Sequence, residues 1–303
     1  MSETILEARS LTKIIGAKTI VDSVSFEVHS GEVFGFLGPN GAGKTTTIRM
    51  LVGLIRPTAG EVRICGRNVQ KDPENALRCI GCIVETPDLY RFMTGRENLE
   101  HFARMMGRVD PAEIDRLGDL TLLANRLDDK VRTYSLGMRQ RLGIAVALLG
   151  RPGLLILDEP ANGLDPVGIR EMRQLIRRLA HEEGVGVFVS SHLLSEIEQM
   201  CDRVAIIHHG EIIRTGSVTD LIGGKRSMEF RVSDSATASL TMERMGLYPS
   251  VDDGRVTLSI DPADAPPIIA ALTLDNVDIY EARTVLPTLE DFFLEVTAGE
   301  SVD

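Results

Sequence analysis

Alternation of apolar and polar residues dominates the first part of the chain. The stretch SVSFEVHSGEVFGFLG alternates with a period of two, which predicts β-strands with a turn at Ser30 and Gly31. Residues 34–37 form an apolar run that leads directly into a glycine-rich loop, as expected for a buried strand. Over residues 45–54 the apolar positions recur at helical spacing, so a helix should follow the loop.

Strand and helix patterns also organise the chain up to Gly224. Strand alternation in EVRICGRNV precedes mostly helical patterns over about residues 87–150, among them RENLEHFARMMG, PAEIDRLGDLTLLANRL and GMRQRLGIAVALLG. The segments LLILD and EGVGVFVSSH predict two further strands. VAIIHHGEIIRTG predicts a hairpin that turns at His209 and Gly210. These patterns indicate an α/β domain over residues 1–224.

The glycines at 223 and 224 predict a domain boundary. Beyond it the patterns run strand, helix, strand, strand, helix, strand, helix, which fits a small ferredoxin-like βαββαβ α+β domain with a final helix over residues 225–303. From Gly224 onward there are 6 Lys and Arg against 15 Asp and Glu, and the whole chain has a net charge of −11. This charge argues against nucleic acid as a partner, because phosphate backbones would be repelled.

Composition places the chain among ordinary globular proteins. No run of the roughly 18–20 apolar residues that cross a bilayer is present, and MSETILEARS lacks the pattern of a signal peptide, so we expect a cytoplasmic protein. Its cysteines include a CxxC pair without the second pair or nearby His of a zinc site. We expect thiols that pack like small apolar groups, with a redox role as the alternative; the cysteines are Cys65, Cys79, Cys82 and Cys201.

A phosphate-binding loop is predicted at GPNGAGKT, which matches G-x-x-x-x-G-K-[ST] in full between a predicted strand and a predicted helix. The glycines allow backbone N–H groups to converge on phosphate oxygens, and the helix adds its positive N-terminal end. Lys44 should reach the β- and γ-phosphates of ATP, and the Thr45 hydroxyl should ligate Mg²⁺. The expected nucleotide contacts in this loop are Gly38, Pro39, Asn40, Gly41, Ala42, Gly43, Lys44, Thr45 and Thr46.

Two acidic residues end the apolar strand in LLILDEP. Buried carboxylates at a strand end need a partner or a metal ion. Asp158 is therefore predicted to hold Mg²⁺, and Glu159 to act as the general base that polarises an attacking water.

A second anion cradle is predicted at YSLGMRQ, where Ser135 and Gly137 stand before a helix. Because the domain already has one phosphate loop, the second cradle suits a homodimer with ATP between the P-loop of one copy and this segment of the other. An ordinary N-capped helix is the alternative.

Together these segments resemble the ATP-binding subunit of ABC transporters over residues 4–224. GPNGAGKTT resembles the Walker A loop, LLILDEP the Walker B strand, YSLGMRQ the signature, NGLDP the D-loop and SSHLLSEIE the H-loop. The resemblance implies a P-loop NTPase fold of ABC type, with a RecA-like α/β core, an antiparallel β lobe and a helical subdomain. It also implies ATP hydrolysis, with His192 contacting the γ-phosphate and positioning the attacking water, and with Asp165 linking the two sites of the dimer.

Two positions depart from the family pattern. The family usually has an aromatic residue ahead of the P-loop that stacks on adenine, whereas Ile15 at this place offers apolar packing only. The signature, usually LSGGQ, reads YSLGM and keeps Ser135 and Gly137.

Glu85 lies in IGCIVETPDLY, where the family usually has a Gln that ligates Mg²⁺ and senses the membrane partner. Glu in this place resembles the ATPases of bacitracin and lantibiotic self-protection exporters. A carboxylate should bind Mg²⁺ more strongly than an amide. An exposed acid after a strand is the alternative.

The expected function is therefore that of an ATP-hydrolysing homodimeric subunit. It would lie on the inner face of the cell membrane beneath a separately encoded permease and drive export of a peptide antibiotic or another amphipathic toxin. A soluble ABC ATPase that acts on nucleic acid or ribosomes is one alternative, disfavoured by the single cassette and the acidic charge. An ATPase subunit of an importer is the other, which the ETPDLY loop and the C-terminal stretch TVLPTLEDFFLEV disfavour, because both resemble exporter ATPases.

Overall fold

The chain divides into two compact units, Met1–Ser217 and Val218–Asp303. Among the helices of the described residues, none combines the length and the apolar composition that crossing a bilayer requires. The structure is a computed structural model, and it describes residues 3–84, 86–107, 109–223, 227–285 and 288–298.

The strands of the larger unit form two sheets. An antiparallel sheet has the order β2-β1-β4-β5, and a second sheet has the order β10-β9-β3-β8-β7-β6. These strands are β1 (Thr4–Ile15), β2 (Lys18–His29), β3 (Val33–Leu37), β4 (Ala59–Ile64), β5 (Arg67–Asn68), β6 (Ile80–Ile83), β7 (Leu154–Asp158), β8 (Gly186–Ser191), β9 (Arg203–His208) and β10 (Glu211–Ser217).

Burial follows the sequence pattern in both sheets. In β2, Val24, Phe26 and Val28 are buried while the residues between them are exposed, so this antiparallel sheet is apolar on one face. Every residue of β3 and of β7 is buried, because parallel strands are covered on both faces. Strand alternation and continuous apolar runs in the sequence thus correspond to two different kinds of sheet.

A cluster of four aromatic rings lies at the core of the larger unit. Phe26 of β2 lies 5.4 Å from the rings of both Phe34 and Phe36 of β3, and Phe188 of β8 lies 5.5 Å from Phe36. Three of these four side chains, those of β3 and β8, are fully buried. The antiparallel sheet is thereby packed onto the strand that leads into the predicted phosphate loop.

Register in the second sheet aligns several strand ends. β3, β6, β7, β8 and β9 are parallel, and only β10 is antiparallel to its neighbour. Leu37 pairs with Ser191, and Asp158 pairs with Ser190. The carboxyl ends of β3, β8 and β7 therefore meet at one edge, which is where ligands bind in open α/β sheets.

Several helices of the larger unit pack against strands of this sheet. Thr94 and Glu97 form a capping box at the start of α3, in which the Glu97 N–H donates to Thr94 Oγ1 at 3.0 Å. The helices are α1 (Lys44–Leu51), α2 (Pro73–Leu77), α3 (Gly95–Met105), α4 (Pro111–Leu120), α5 (Leu136–Leu148), α6 (Pro166–His181) and α7 (Leu194–Met200).

The fourth helix is shorter than its sequence pattern predicts. PAEIDRLGDLTLLANRL suggests a helix to residue 127, but α4 ends at Leu120. Leu122 has a left-handed φ of +57°, which breaks the helix, and the Leu123 N–H then donates to Gly118 O at 2.8 Å. Leu123 and Leu127 are nevertheless buried, so the apolar pattern continues in a turn.

The smaller unit is an α+β sandwich with an antiparallel sheet in the order β12-β13-β11-β14. Its core contains Phe230, Met242 and Leu272. Its elements are α8 (Val218–Ile222), β11 (Ser227–Val232), α9 (Ser235–Arg244), β12 (Ser250–Asp252), β13 (Arg255–Leu258), α10 (Ala265–Leu274), β14 (Ile279–Val285) and α11 (Leu289–Ala298).

The compact units divide before the predicted boundary at Gly224. Helix α8 lies against α11 of the smaller unit, so the residues that follow Ser217 are grouped with that unit. Domains of 1–224 and 225–303 remain a prediction about independent folding.

Candidate nucleotide-binding site

The predicted phosphate loop joins the end of β3 to α1, as its motif requires. Gly41 and Gly43 have φ values of +82° and +106°. Position 38 also requires glycine for lack of space, because a Cβ at Gly38 would lie 2.3 Å from Ile207 O. No side chain caps α1, so its first N–H groups remain available to an anion.

Lys44 is held across this loop by the loop's own carbonyl groups. Its side chain is only 6% exposed, and Nζ donates to Gly38 O at 2.7 Å and to Pro39 O at 3.3 Å. Nζ also lies 3.5 Å from Glu159 Oε1. The ammonium group is thus fixed at the mouth of the loop, where phosphate oxygens would bind.

Asp158 ends β7 as a buried carboxylate beside two hydroxyl groups. Ser190 donates to Asp158 Oδ1 at 2.5 Å, and Thr45 donates to Oδ2 at 3.4 Å. Burial raises the pKa of Asp158 above its usual value, and the hydrogen bond from Ser190 opposes that increase. A buried carboxylate next to a hydroxyl is a hard-oxygen environment that suits Mg²⁺.

Glu159 follows in a left-handed conformation with a φ of +50°. Its N–H is held by Ser190, at 3.2 Å from the carbonyl oxygen and 3.1 Å from Oγ. Its carboxylate lies between Lys44 and His192, with Oε2 at 2.7 Å from His192 Nδ1. Backbone strain at this position is maintained by the sheet and turns the side chain toward the loop.

Residues of the phosphate loop, Glu159 and His192 line one cleft of about 660 Å³, whereas the buried Asp158 is not among its lining residues. Most of its lining comes from the phosphate loop and the two catalytic candidates. Ile20 and Asn162 also line it and were not predicted as contacts, although Asn162 begins the D-loop segment. The lining residues are Ile20, Asn40, Gly41, Gly43, Lys44, Thr45, Thr46, Glu159, Asn162 and His192.

Ser135 and Gly137 of the signature and Asp165 of the D-loop lie elsewhere in the unit. Ser135 caps α5 by accepting from the Met138 N–H at 3.2 Å, and Asp165 caps α6 by accepting from the Gly168 N–H at 2.9 Å. The two segments adjoin, since a Cβ at Gly137 would lie 3.7 Å from the Leu164 side chain. Ser135, Gly137 and Asp165 do not line the cleft of their own chain, although Asn162 at the start of the D-loop does.

Two predicted residues stand apart from these groups. Ile15 ends β1, is 55% exposed and is not part of the cleft lining. Glu85 lies outside the described residues. The adenine contact of Ile15 and the metal contact of Glu85 both remain predictions.

Comparison with known proteins identifies the family. Residues 21–162 match the ABC transporter family. An uncharacterized ABC transporter ATP-binding protein of Bacillus subtilis, YhcH, is 47% identical over 99% of this chain and 97% of its own. The bacitracin transport ATP-binding protein BcrA of Bacillus licheniformis is 42% identical over 99% of both chains. The chain belongs to the ABC transporter ATP-binding proteins.

The fold class follows from the same relationship. A solved ATP-binding subunit of an ABC transporter matches 72% of this chain and 91% of its own, with a TM-score of 0.63 and 34% identity. The P-loop NTPase fold of ABC type is thus confirmed, and so is the likeness to bacitracin-type ATP-binding proteins. As a member of this ABC family, the protein binds ATP and is an ATPase.

Proposed function

We propose that this ABC protein is the ATP-hydrolysing subunit of an exporter for a peptide antibiotic or another amphipathic toxin. The observation that carries the proposal is the Glu159 carboxylate, which lies between Lys44 and His192 at the end of the buried strand β7. The bacitracin transport function in the name of BcrA supports the substrate class.

Three side chains of the cleft, those of Lys44, Glu159 and His192, have roles in hydrolysis in this proposal. Lys44 and the N–H groups of the loop neutralise the phosphate oxygens, where charge spreads during phosphoryl transfer. Glu159 accepts a proton from the attacking water, and His192 holds the Glu159 carboxylate through its Nδ1 contact of 2.7 Å.

Mg²⁺ fits the oxygen donors around Asp158. Asp158 and the Thr45 hydroxyl would hold the ion, together with Glu85. When bound, Mg²⁺ neutralises charge on the phosphates. Within the described residues no group of three or more His, Cys, Asp and Glu side chains could hold a metal by itself, so phosphate and water would complete its coordination.

A head-to-tail homodimer accounts for the segments that lie outside the cleft. Ser135 and Gly137 stand at the N-terminal end of α5, a ready anion site, yet they do not line their own chain's cleft. In a two-fold dimer they would cover the γ-phosphate bound to the partner's loop, and Asp165 would lie between the two sites.

A groove of about 300 Å³ is our candidate for contact with a separate permease. The groove lies between α5 and the segment that follows position 85. These two elements are in close contact, since a Cβ at Gly143 of α5 would lie 2.5 Å from Pro87 Cβ. Pressure on this groove would therefore act on the segment that follows position 85 and on the signature. Its lining residues are Thr86, Pro87, Asp88, Leu89, Arg91, Leu136, Arg139 and Gln140. The protein would then lie on the inner face of the membrane through its permease.

Substitution of the general base tests the shared site. Glu159→Gln should bind ATP with Mg²⁺ but hydrolyse it below about a hundredth of the wild-type rate, since a general base contributes on the order of 100-fold or more. The ATP-bound variant should accumulate as a dimer in light scattering. Lys44→Ala should lose hydrolysis and dimer formation together, while Glu182→Gln at the exposed end of α6 should behave as wild type.

Two results would contradict the proposal. If Glu159→Gln stays monomeric with saturating ATP and Mg²⁺, the proposed ATP site shared between two copies is wrong. In cells that carry this gene and its permease, Glu159→Gln should abolish tolerance to bacitracin. If tolerance persists, the proposal that this ATPase drives export of bacitracin is wrong.

A further inference from the structure

A tight turn between two strands bonds to both walls of the nucleotide cleft. The turn at His209 and Gly210 joins β9 to β10, with φ values of +47° and +89°. The Gly210 N–H donates to Ala42 O of the phosphate loop at 3.1 Å. Gly210 O accepts from the Asp22 N–H of β2 at 2.8 Å. One residue thus bonds to the loop on one side and to β2 on the other.

The turn, β2 and the phosphate loop also pack so closely that backbone atoms of one segment fill the space a side chain of the next would need. A Cβ on Gly210 would lie 2.7 Å from Ile20 O, and a Cβ on Gly43 of the phosphate loop would lie 2.8 Å from the same oxygen. Such separations are shorter than Cβ contacts in proteins, so neither position has room for a side chain. The turn, β2 and the phosphate loop are therefore interlocked.

We propose that Gly210 is a positioning residue of the nucleotide site, which sets the spacing between the phosphate loop and the Ile20 wall of the cleft. The proposal rests on the nucleotide site described above and adds a residue that does not line the cleft. The loop's N–H groups bind phosphate, whereas Ile20 offers apolar surface suited to a base. ATP must reach both walls at once, so a wrong spacing weakens its binding even when each wall is intact.

Comparing the binding of ATP with that of tripolyphosphate distinguishes a change in spacing from damage to the phosphate loop itself. Inorganic tripolyphosphate carries the phosphates of ATP without the base. In the full chain, Gly210→Ala should bind ATP about tenfold more weakly, which corresponds to about 1.4 kcal/mol. Tripolyphosphate binding should change less than about threefold, because Lys44 still ties the loop to Gly38 O. The KM for ATP should rise more than kcat falls.

The matched control is Gly184→Ala. Gly184 has a φ of +73°, and a Cβ there meets nothing within 4 Å, so the substitution introduces the same kind of backbone strain without the clash. Binding of ATP and of tripolyphosphate by this variant should equal that of the wild type, measured by titration calorimetry at one temperature.

Equal weakening of both ligands in Gly210→Ala would place the effect in the loop alone and overturn the proposal, as would unchanged ATP binding. If Gly210→Ala does not fold, Ile20→Ala removes the apolar wall and leaves the turn intact. It must weaken ATP and spare tripolyphosphate, and the opposite result overturns the assignment. A separate variant tests whether the cleft is the nucleotide site at all. If it is not, Lys44→Ala would bind tripolyphosphate as the wild type does.

Discussion

Ser190 is hydrogen-bonded to both acidic residues at the carboxyl end of the buried strand β7. Its hydroxyl donates to Asp158 Oδ1 and accepts from the Glu159 N–H. Burial raises the pKa of Asp158, and the hydrogen bond from Ser190 lowers it. Ser190 thus favours the ionised form of Asp158 while it holds the strained backbone of Glu159 in place.

Ser190→Ala should raise the Mg²⁺ concentration needed for half-maximal ATPase rate by about tenfold, the usual size of effect for a residue that orients a metal ligand. The control is Ser191→Ala, because the Ser191 hydroxyl accepts from the Leu193 N–H at 3.0 Å instead. An unchanged Mg²⁺ requirement in Ser190→Ala would mean that Asp158 does not hold the metal ion.

Glu85 can be tested by the same titration. Glu85→Gln should keep hydrolysis but need more Mg²⁺, because a hard cation prefers carboxylate oxygen to amide oxygen. Glu85→Ala should need still more, since it removes the ligand. Asp88→Asn removes a charge from an exposed neighbour and should change neither quantity. If both Glu85 variants match the wild type, Glu85 is an exposed loop acid.

At the scale of elements, an ion-pair cluster joins α4 to the segments that follow α5 and α6. Glu113 of α4 is buried, and its carboxylate lies 2.8 Å from Arg116 Nη2 and 2.6 Å from Arg151 Nη2. Arg116 also reaches Glu183 beyond α6 at 3.0 Å. The hydrogen bond from Arg116, helped by Arg151, lowers the pKa of Glu113 to about 2 although burial acts in the opposite direction.

This cluster should make stability depend on pH. An unfolded Glu titrates near pH 4.3, so the stabilisation from Glu113 is present above about pH 4.3 and is lost as the pH falls toward about 2. Glu113→Gln should reduce the free energy of unfolding by roughly 1–3 kcal/mol at pH 7, and the loss should shrink in acid. Urea denaturation at pH 7 and at the lowest pH that keeps the fold measures both.

Glu74→Gln is the matched control for that measurement. Glu74 pairs with Arg78 at 2.7 Å on an exposed helix, and such pairs contribute about 0–1 kcal/mol. If Glu113→Gln lost the same free energy at every pH, the pair with Arg116 and Arg151 would not be the source of the stabilisation.

The elements of the site were predictable where a local pattern fixes them. The apolar runs of β3 and β7 and the glycine-rich loop identify Lys44 and Glu159, because motif and strand adjoin in sequence. The role of Ile20 and the contacts of Gly210 were not predictable. They depend on the placement of β9 beside β3, and hydrophobic periodicity does not specify strand order.

At the scale of the whole molecule, the nucleotide cleft lies within one of the two units. All lining residues of the cleft belong to Met1–Ser217, and no nucleotide motif lies beyond that unit. BcrA nevertheless matches 99% of this chain, so a counterpart of the C-terminal unit accompanies the ATPase unit in that relative. A role outside ATP binding is the simplest expectation for it.

Truncation separates the two units and also tests where the first one ends. Chains of residues 1–217 and 1–224 should both bind ATP as the full chain does, because the cleft and its supporting sheets are complete in each. The longer chain keeps the residues of α8 but lacks α11, the helix that α8 lies against in the full chain. A five-residue helix is unstable alone, so the longer chain should show no extra helix by circular dichroism. Calorimetric ATP binding by 1–224 but not by 1–217 would place the folding boundary at the two glycines that the sequence indicates.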